Sequence, residues 1–195
     1  FIRDGINHGI ERAIPRFFNG KTIFDGKAEI EMDGKKVSYS TYESDGNIVF
    51  RIGESGSFVY GRHKYQLKYR FKNLLLTDGS VQKMIMNTNG TQWKRPFNEV
   101  IATVNLDSSV LKEFNGTVRC FAGMQGSTEE CNTFERKSEE GVFKFSQKDV
   151  QAGENLTFEI DFNSKFAQPE ASGIDVNTII FGILALILAV ITLFF

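Results

Sequence analysis

HGIERAIP, residues 8–15, sets one of the chain's two histidines three residues ahead of a carboxylate, His8 before Glu11. A histidine assisted by a carboxylate is the pairing that serves as a general base. Nothing else in the sequence completes a catalytic frame. It shows no nucleophile motif, no paired carboxylates in a recognisable arrangement and no glycine loop of the oxyanion type. The other reading makes the stretch a corner of a sheet. Gly9 would supply an unusual φ, Arg12 would pair with a carboxylate, and Ile10, Ile14 and Pro15 would pack inward. That structural reading is preferred, so no catalytic residue and no enzymatic activity is expected.

Three further groups invite a chemical reading. Cys120 and Cys131 bound a short loop, CFAGMQGSTEEC. Outside the cytosol such a pair oxidises. Two free thiols or half a zinc site are the alternatives, but both histidines lie far away and there is no CxxC, so no metal and no cofactor is expected. The only tryptophan, Trp93, precedes Lys94, Arg95 and Pro96. It reads as a core plug, or as a solvent-facing platform for a sugar ring. Arg62, Lys64, Lys68, Arg70 and Lys72 make one basic strand face, which suits anionic headgroups or envelope polymers. The plainer account is a protected strand edge, since lysines discourage edge-to-edge pairing.

The bulk numbers exclude some partners. The chain has 195 residues with a net charge of −1. Residues 1–100 carry +5 and residues 101–173 carry −5, a mild dipole that does not make a nucleic-acid surface. The far end is different. IIFGILALILAVITLFF, residues 179–195, is seventeen residues without a charge. A bilayer crossing needs about 20 mainly apolar residues, and lipid forces the backbone to be helical. A transmembrane helix is therefore expected there. Glu170 and Asp175 lie closer to it than the nearest basic residue, Lys165, so the preceding domain is expected outside the cytoplasm. Residues 1–20 lack a signal peptide pattern, which for an exported domain implies that the sequence begins downstream of one.

The elements that would position these residues read as strands. His63, Tyr65, Leu67, Tyr69 and Phe71 alternate with polar residues, the pattern of a half-buried strand with a wet face. LTFEIDF, residues 156–162, repeats it, and VIATVNL, GTVRCFA and GVFKFS are further strands. Asp-Gly pairs at 25–26, 33–34, 45–46 and 78–79 have hairpin turn chemistry. SSVLKEF, residues 108–114, is the one soluble helical candidate. Many short strands without alternating helices predict an antiparallel β-sandwich, immunoglobulin-like or jelly-roll-like, over residues 1–163. Residues 164–178 would be a polar linker and 179–195 the membrane helix. The Asn-x-Thr triplets at Asn89, Asn115 and Asn155 read as turns and strand starts.

Five segments together resemble a family of predicted membrane proteins, domain of unknown function 2207. HGIERAIP resembles its HGIxRxIP signature through His8, Gly9, Arg12 and Pro15. IGESGSFVYGRHKYQLKYRF is similar to its glycine–histidine–tyrosine strand through Ile52, Gly53, Gly61, His63, Tyr65 and Tyr69. NTNGTQWKRPFNEVIATVNL matches through Asn87, Gly90, Trp93, Pro96, Asn98 and Val100. The Cys120–Cys131 loop and VQAGENLTFEIDF complete the set, over about residues 5–165. Glu11 stands where the family usually has an aromatic, and Met86 where it often has a tryptophan. The resemblance implies an exported β domain, one or more membrane helices and a prokaryotic host, and it implies no reaction.

The expected role is interaction with envelope or membrane partners. The alternative is a glycan- or polyanion-binding module using Trp93, Arg62, Lys64, Lys68 and Arg70.

Overall fold

The computed structural model describes residues 2–3, 6–137 and 140–163. The expected linker, 164–178, and the expected membrane helix, 179–195, lie outside the described residues. Among the described residues no helix is long and apolar enough to cross a membrane.

The fold is all-β and every ladder is antiparallel. The first part of the chain carries β1 (Ile2–Arg3), β2 (Ile6–Asn7), β3 (Ile10–Pro15), β4 (Phe17–Phe18), β5 (Lys21–Thr22), β6 (Ala28–Met32), β7 (Lys35–Lys36), β8 (Tyr39–Ser44), β9 (Asn47–Ile52) and β10 (Tyr65–Tyr69). The second carries β11 (Leu75–Asp78), β12 (Val81–Asn87), β13 (Phe97–Asn105), β14 (Phe114–Gly123), β15 (Thr133–Lys137), β16 (Val142–Val150) and β17 (Asn155–Asn163). One helical turn, α1 (Ser108–Leu111), is all that SSVLKEF forms; the Asp107 carboxylate caps it by accepting from the Ser109 and Val110 N–H groups.

Two Asp-Gly pairs make the hairpins for which their chemistry suits them. Asp33 and Gly34 turn β6 into β7, and Asp45 and Gly46 turn β8 into β9. All four have positive φ, between 50° and 77°, the left-handed backbone of the two-residue turn whose twist matches the strands.

The buried apolar side chains gather in two places rather than in the one sandwich core expected over residues 1–163. In the first part, the sheet β3-β9-β8 and the sheet β10-β6-β7 enclose Ile14, Ile23, Phe24, Ile30, Ile48, Phe50 and Ile52. In the second, the sheet β11-β12-β17-β14 and the sheet β13-β16-β15 enclose Val100, Phe143, Phe145, Leu156, Phe158, Ile160 and Phe162 among others. Each pair of sheets hides one alternating face of its strands, the arrangement that lets two small sheets share a core. An apolar cavity of about 180 Å³ lies where they meet, between Ile14, Phe18 and Phe71 on one side and Ile85 and Met86 on the other.

Candidate functional site

The junction between the two cores is built around one carbonyl. Arg12 points from β3 across to the loop that follows β12. Its guanidinium donates to the carbonyl oxygen of Asn89 and, at 3.4 Å, to that of Thr88. The Trp93 indole N–H donates to the same Asn89 oxygen at 2.7 Å. The Arg12 guanidinium carbon sits 6.0 Å from the Trp93 ring centroid, within cation–π range. Arg12 thus spends its hydrogen bonds on backbone oxygens rather than on the carboxylate expected from sequence.

Asn89 makes the loop rigid enough to receive those bonds. Its side chain is buried; Oδ1 accepts from the Leu156 N–H at 3.0 Å and Nδ2 donates to the Glu154 carbonyl at 2.9 Å. Both halves of the amide are therefore used, which no carboxylate or apolar residue reproduces. Sequence reasoning missed this residue because its Asn-x-Thr triplet reads as a surface turn. Asn155, at the start of β17, is buried too, while Asn115 stays exposed in the bulge of β14.

The same loop covers an open strand edge. β3 is an edge strand, with Arg12 and Ile14 on its core face and Glu11 and Ala13 on its outer face. Trp93 touches Arg12 on one side and lines a cleft with Glu11 and Ala13 on the other, so the indole wraps the edge. Tyr42, Val49, Ser44 and Gln92 complete the cleft, whose volume is about 190 Å³. Glu11 is held by Arg51 Nε at 2.8 Å, and the Arg51 guanidinium lies 5.2 Å from the Tyr42 ring centroid. That bond to Glu11, from its cross-strand partner, holds the Arg51 guanidinium above its ordinary pKa. Trp93 is half-buried, its edge against Phe97 at 5.2 Å. It is therefore part wedge and part cleft wall. Pro96 is exposed just ahead of β13.

His8 and Glu11 do not form a pair. The His8 Nδ1 lies 2.9 Å from the Ser57 carbonyl oxygen, and its ring sits 4.8 Å from that of Phe58. Next to it, Gly9 is buried at φ +134°, and a Cβ there would fall 1.8 Å from the Ile52 carbonyl oxygen. A Cβ on Gly53 would fall 2.0 Å from the His8 carbonyl oxygen. The two glycines let the backbones approach closely at the end of the β3–β9 ladder. HGIERAIP is therefore not a sheet corner: Ile10–Pro15 run straight as β3, paired with β9 throughout, although Ile10 and Ile14 do pack inward. Pro15, by contrast, is exposed.

The loop 53–64 that His8 holds carries Phe58 and Tyr60, 51% and 73% exposed. A second backbone bond fixes it, from the Val59 N–H to the Asn7 carbonyl at 2.6 Å. Gly61 lies in the same loop with φ +86°. His63 precedes the strand rather than lying on its apolar face. Its Nδ1 is 2.7 Å from Asp33 Oδ2 and its Nε2 is 2.7 Å from the Tyr60 carbonyl oxygen. The Asp33 hydrogen bond, with the Tyr60 carbonyl behind it, holds the His63 pKa above its ordinary value. The Lys64 N–H and the His63 ring together hold Asp33 below the ordinary carboxylate range.

β10 covers Tyr65–Tyr69, with Tyr65 and Leu67 against the first core and Tyr69 packed 5.6 Å from Phe24. Arg62, Lys64, Lys68 and Arg70 are exposed as expected. They are not one surface with Trp93, however. β10 belongs to the other sheet of the first core, and none of these residues lines the Trp93 cleft. Lys68 also faces Glu29 across the ladder, which blunts the basic character of the strand.

Cys120 and Cys131 form a disulfide, with their Cα atoms 5.5 Å apart. It closes a loop whose ends are already paired, Ala122 N–H to the Glu129 carbonyl and Cys131 N–H to the Cys120 carbonyl. Among the described residues no cluster of three His, Cys, Asp or Glu is placed to hold a metal ion.

Paired antiparallel sheets, a disulfide in the second core and motif residues spent on fastening the chain define an all-β, disulfide-braced domain. The model of the predicted membrane protein (DUF2207) N-terminal domain matches residues 1–162, and the chain belongs to this family. No curated protein and no solved structure matches the chain.

Proposed function

We propose that the chain is a recognition domain, a β-sandwich assembly held outside the cytoplasm by a membrane helix within 179–195, and that it works by binding envelope or membrane proteins rather than by catalysis. The observation that carries this reading is the loop 53–64. Phe58 and Tyr60 stand out from it, 51% and 73% exposed, followed by Arg62 and Lys64. Exposed aromatics beside arginine are what protein interfaces enrich. The loop is also pre-organised by His8 and Asn7, so little ordering opposes binding. The disulfide supports placement in an oxidising compartment.

The test is a photo-crosslinking residue at Tyr60 of the full-length protein on intact cells. The expected result is repeated capture of the same envelope protein, abolished by Phe58→Ser with the fold intact. Absence of any adduct at Tyr60, or turnover of an envelope polymer that His8→Ala destroys without unfolding, overturns it.

A second reading, a saccharide-binding module, is favoured by one specific feature, the cleft beside Trp93.

A further inference from the structure

The Trp93 cleft is a different surface from the loop 53–64, and its chemistry is more particular. Two aromatic rings, Trp93 and Tyr42, share it with Val49 and Ala13. Val49 is buried although it points away from the first core, so the cleft covers an apolar patch of the outer sheet face. The polar groups that join them are the Glu11 carboxylate, the Gln92 amide and the Ser44 hydroxyl. Aromatic surface for C–H faces, with a carboxylate and an amide for paired hydroxyls, is the donor set that a sugar ring needs.

Size and charge narrow the ligand. About 190 Å³ is below the ~300–1,000 Å³ of sites for drug-sized molecules, so it suits one ring of a longer chain that runs on into solvent. No lysine or arginine lines the cleft, and Glu11 is already neutralised by Arg51. The nearest guanidinium, Arg51 over the Tyr42 ring, is already balanced by Glu11, so the cleft offers an anionic polymer no spare positive charge. The walls are also fixed before any ligand arrives. The Trp93 N–H is fastened to the Asn89 carbonyl, and Glu11 is held by Arg51.

We infer that the cleft between Trp93 and Tyr42 binds one uncharged pyranose unit, a hexose or N-acetylhexosamine, of a surface glycan. This deepens the second, saccharide-binding reading and rests on it, while using a surface separate from Phe58 and Tyr60.

Trp93 is the only tryptophan, so its emission reports the site directly. The full chain in detergent micelles is titrated with the N-acetylglucosamine tetramer and with maltotetraose to about 10 mM, a range that covers weak single-ring binding. The expected result is a saturable change in Trp93 emission with at least one of them. Tyr42→Ala and Glu11→Gln should each weaken it about tenfold or more, with unchanged near-ultraviolet circular dichroism. Three results overturn the inference: no saturation with either sugar, equal binding by Tyr42→Ala, or saturation only with a sulfated oligosaccharide. Loss of sugar binding with Tyr60 crosslinking intact would sink the cleft alone; loss of Tyr60 crosslinking with sugar binding intact would sink the protein-partner reading alone.

Discussion

Arg12 and Trp93 donate to the same oxygen, the Asn89 carbonyl, from opposite sides of a strand edge. One comes from the first core and the other from the loop leading into the second. The shared acceptor ties a charged group, an aromatic wedge and a buried loop into one joint.

Arg12→Ala is expected to destabilise the fold by about 2 kcal/mol, the range for hydrogen bonds to a charged group. Arg12→Lys should recover only part of this, because an ammonium does not reproduce the planar fork that reaches two carbonyls. Urea unfolding followed by Trp93 emission measures both. An Arg12→Ala protein as stable as wild type would mean the joint carries no load.

Gly9→Ala should be far more damaging than Gly46→Ala, although both glycines have positive φ. At Gly9 the new Cβ meets backbone at 1.8 Å, whereas at Gly46 nothing lies within 4 Å. The expected losses are at least about 3 kcal/mol and about 1 kcal/mol. Equilibrium denaturation of the two variants side by side separates the close backbone approach from conformational preference alone.

Replacing Cys120 and Cys131 together by serine should lower stability by about 2–3 kcal/mol, mainly by freeing the unfolded chain. Thermal melts with and without reductant check it. Reductant should shift the wild type and leave the double variant unchanged.

The His63–Asp33 pair should give a pH dependence of defined sign. His63 is raised in the fold, so its contribution is fully present below its unfolded value near 6.5 and is lost as pH rises through its raised folded value. Asp33 is lowered, so its contribution is present above its unfolded value near 3.8 and is lost as pH falls through its lowered folded value. The pair therefore helps most between those two unfolded values. An NMR titration of the His63 ring should give a pKa above 6.5 that drops towards it in Asp33→Asn.

Asp161 predicts a trend opposite to that of Asp33. It is buried on β17 beside Glu159, with Arg119 at 3.2 Å from Oδ2 and no hydrogen-bond partner for Oδ1. Burial, with Glu159 adding to it, pushes its carboxyl above the ordinary range. The fold thus holds this proton more tightly than the unfolded chain does, and stability falls as pH rises from the unfolded value through the folded one. Asp161→Asn should melt higher than wild type at pH 7, and the gap should close on acidification. A gap that is constant with pH would assign the effect to packing.

What could be read from sequence was whatever obeys a local period. Tyr65 and Leu67 face a core that Ile30 and Phe24 fill, so their alternation was legible. Asp33-Gly34 and Asp45-Gly46 turn as their chemistry requires. The partition into two cores was not legible, because Phe50 and Phe145 look alike until their partner sheets are known. The cleft is half legible: sequence picks out Trp93 but groups it with Arg62, Lys64, Lys68 and Arg70, which lie on or beside β10 in the other sheet. Its true neighbours, Tyr42 and Glu11, are set by the ladder β3-β9-β8 and by a loop crossing an edge. Neither leaves a trace in spacing. Asn89 stayed hidden because a buried amide serving two backbone groups has the same letters as a surface turn.

The last described strand has a mechanical consequence. β17 ends at Asn163 and lies between β12 and β14, paired with both. A pull arriving at Asn163 would run along the strand and load both rows of hydrogen bonds in shear, sharing the force among many bonds at once. β17 is thus placed to act as an anchor bolt, yielding later under tension than a strand peeled from a sheet edge.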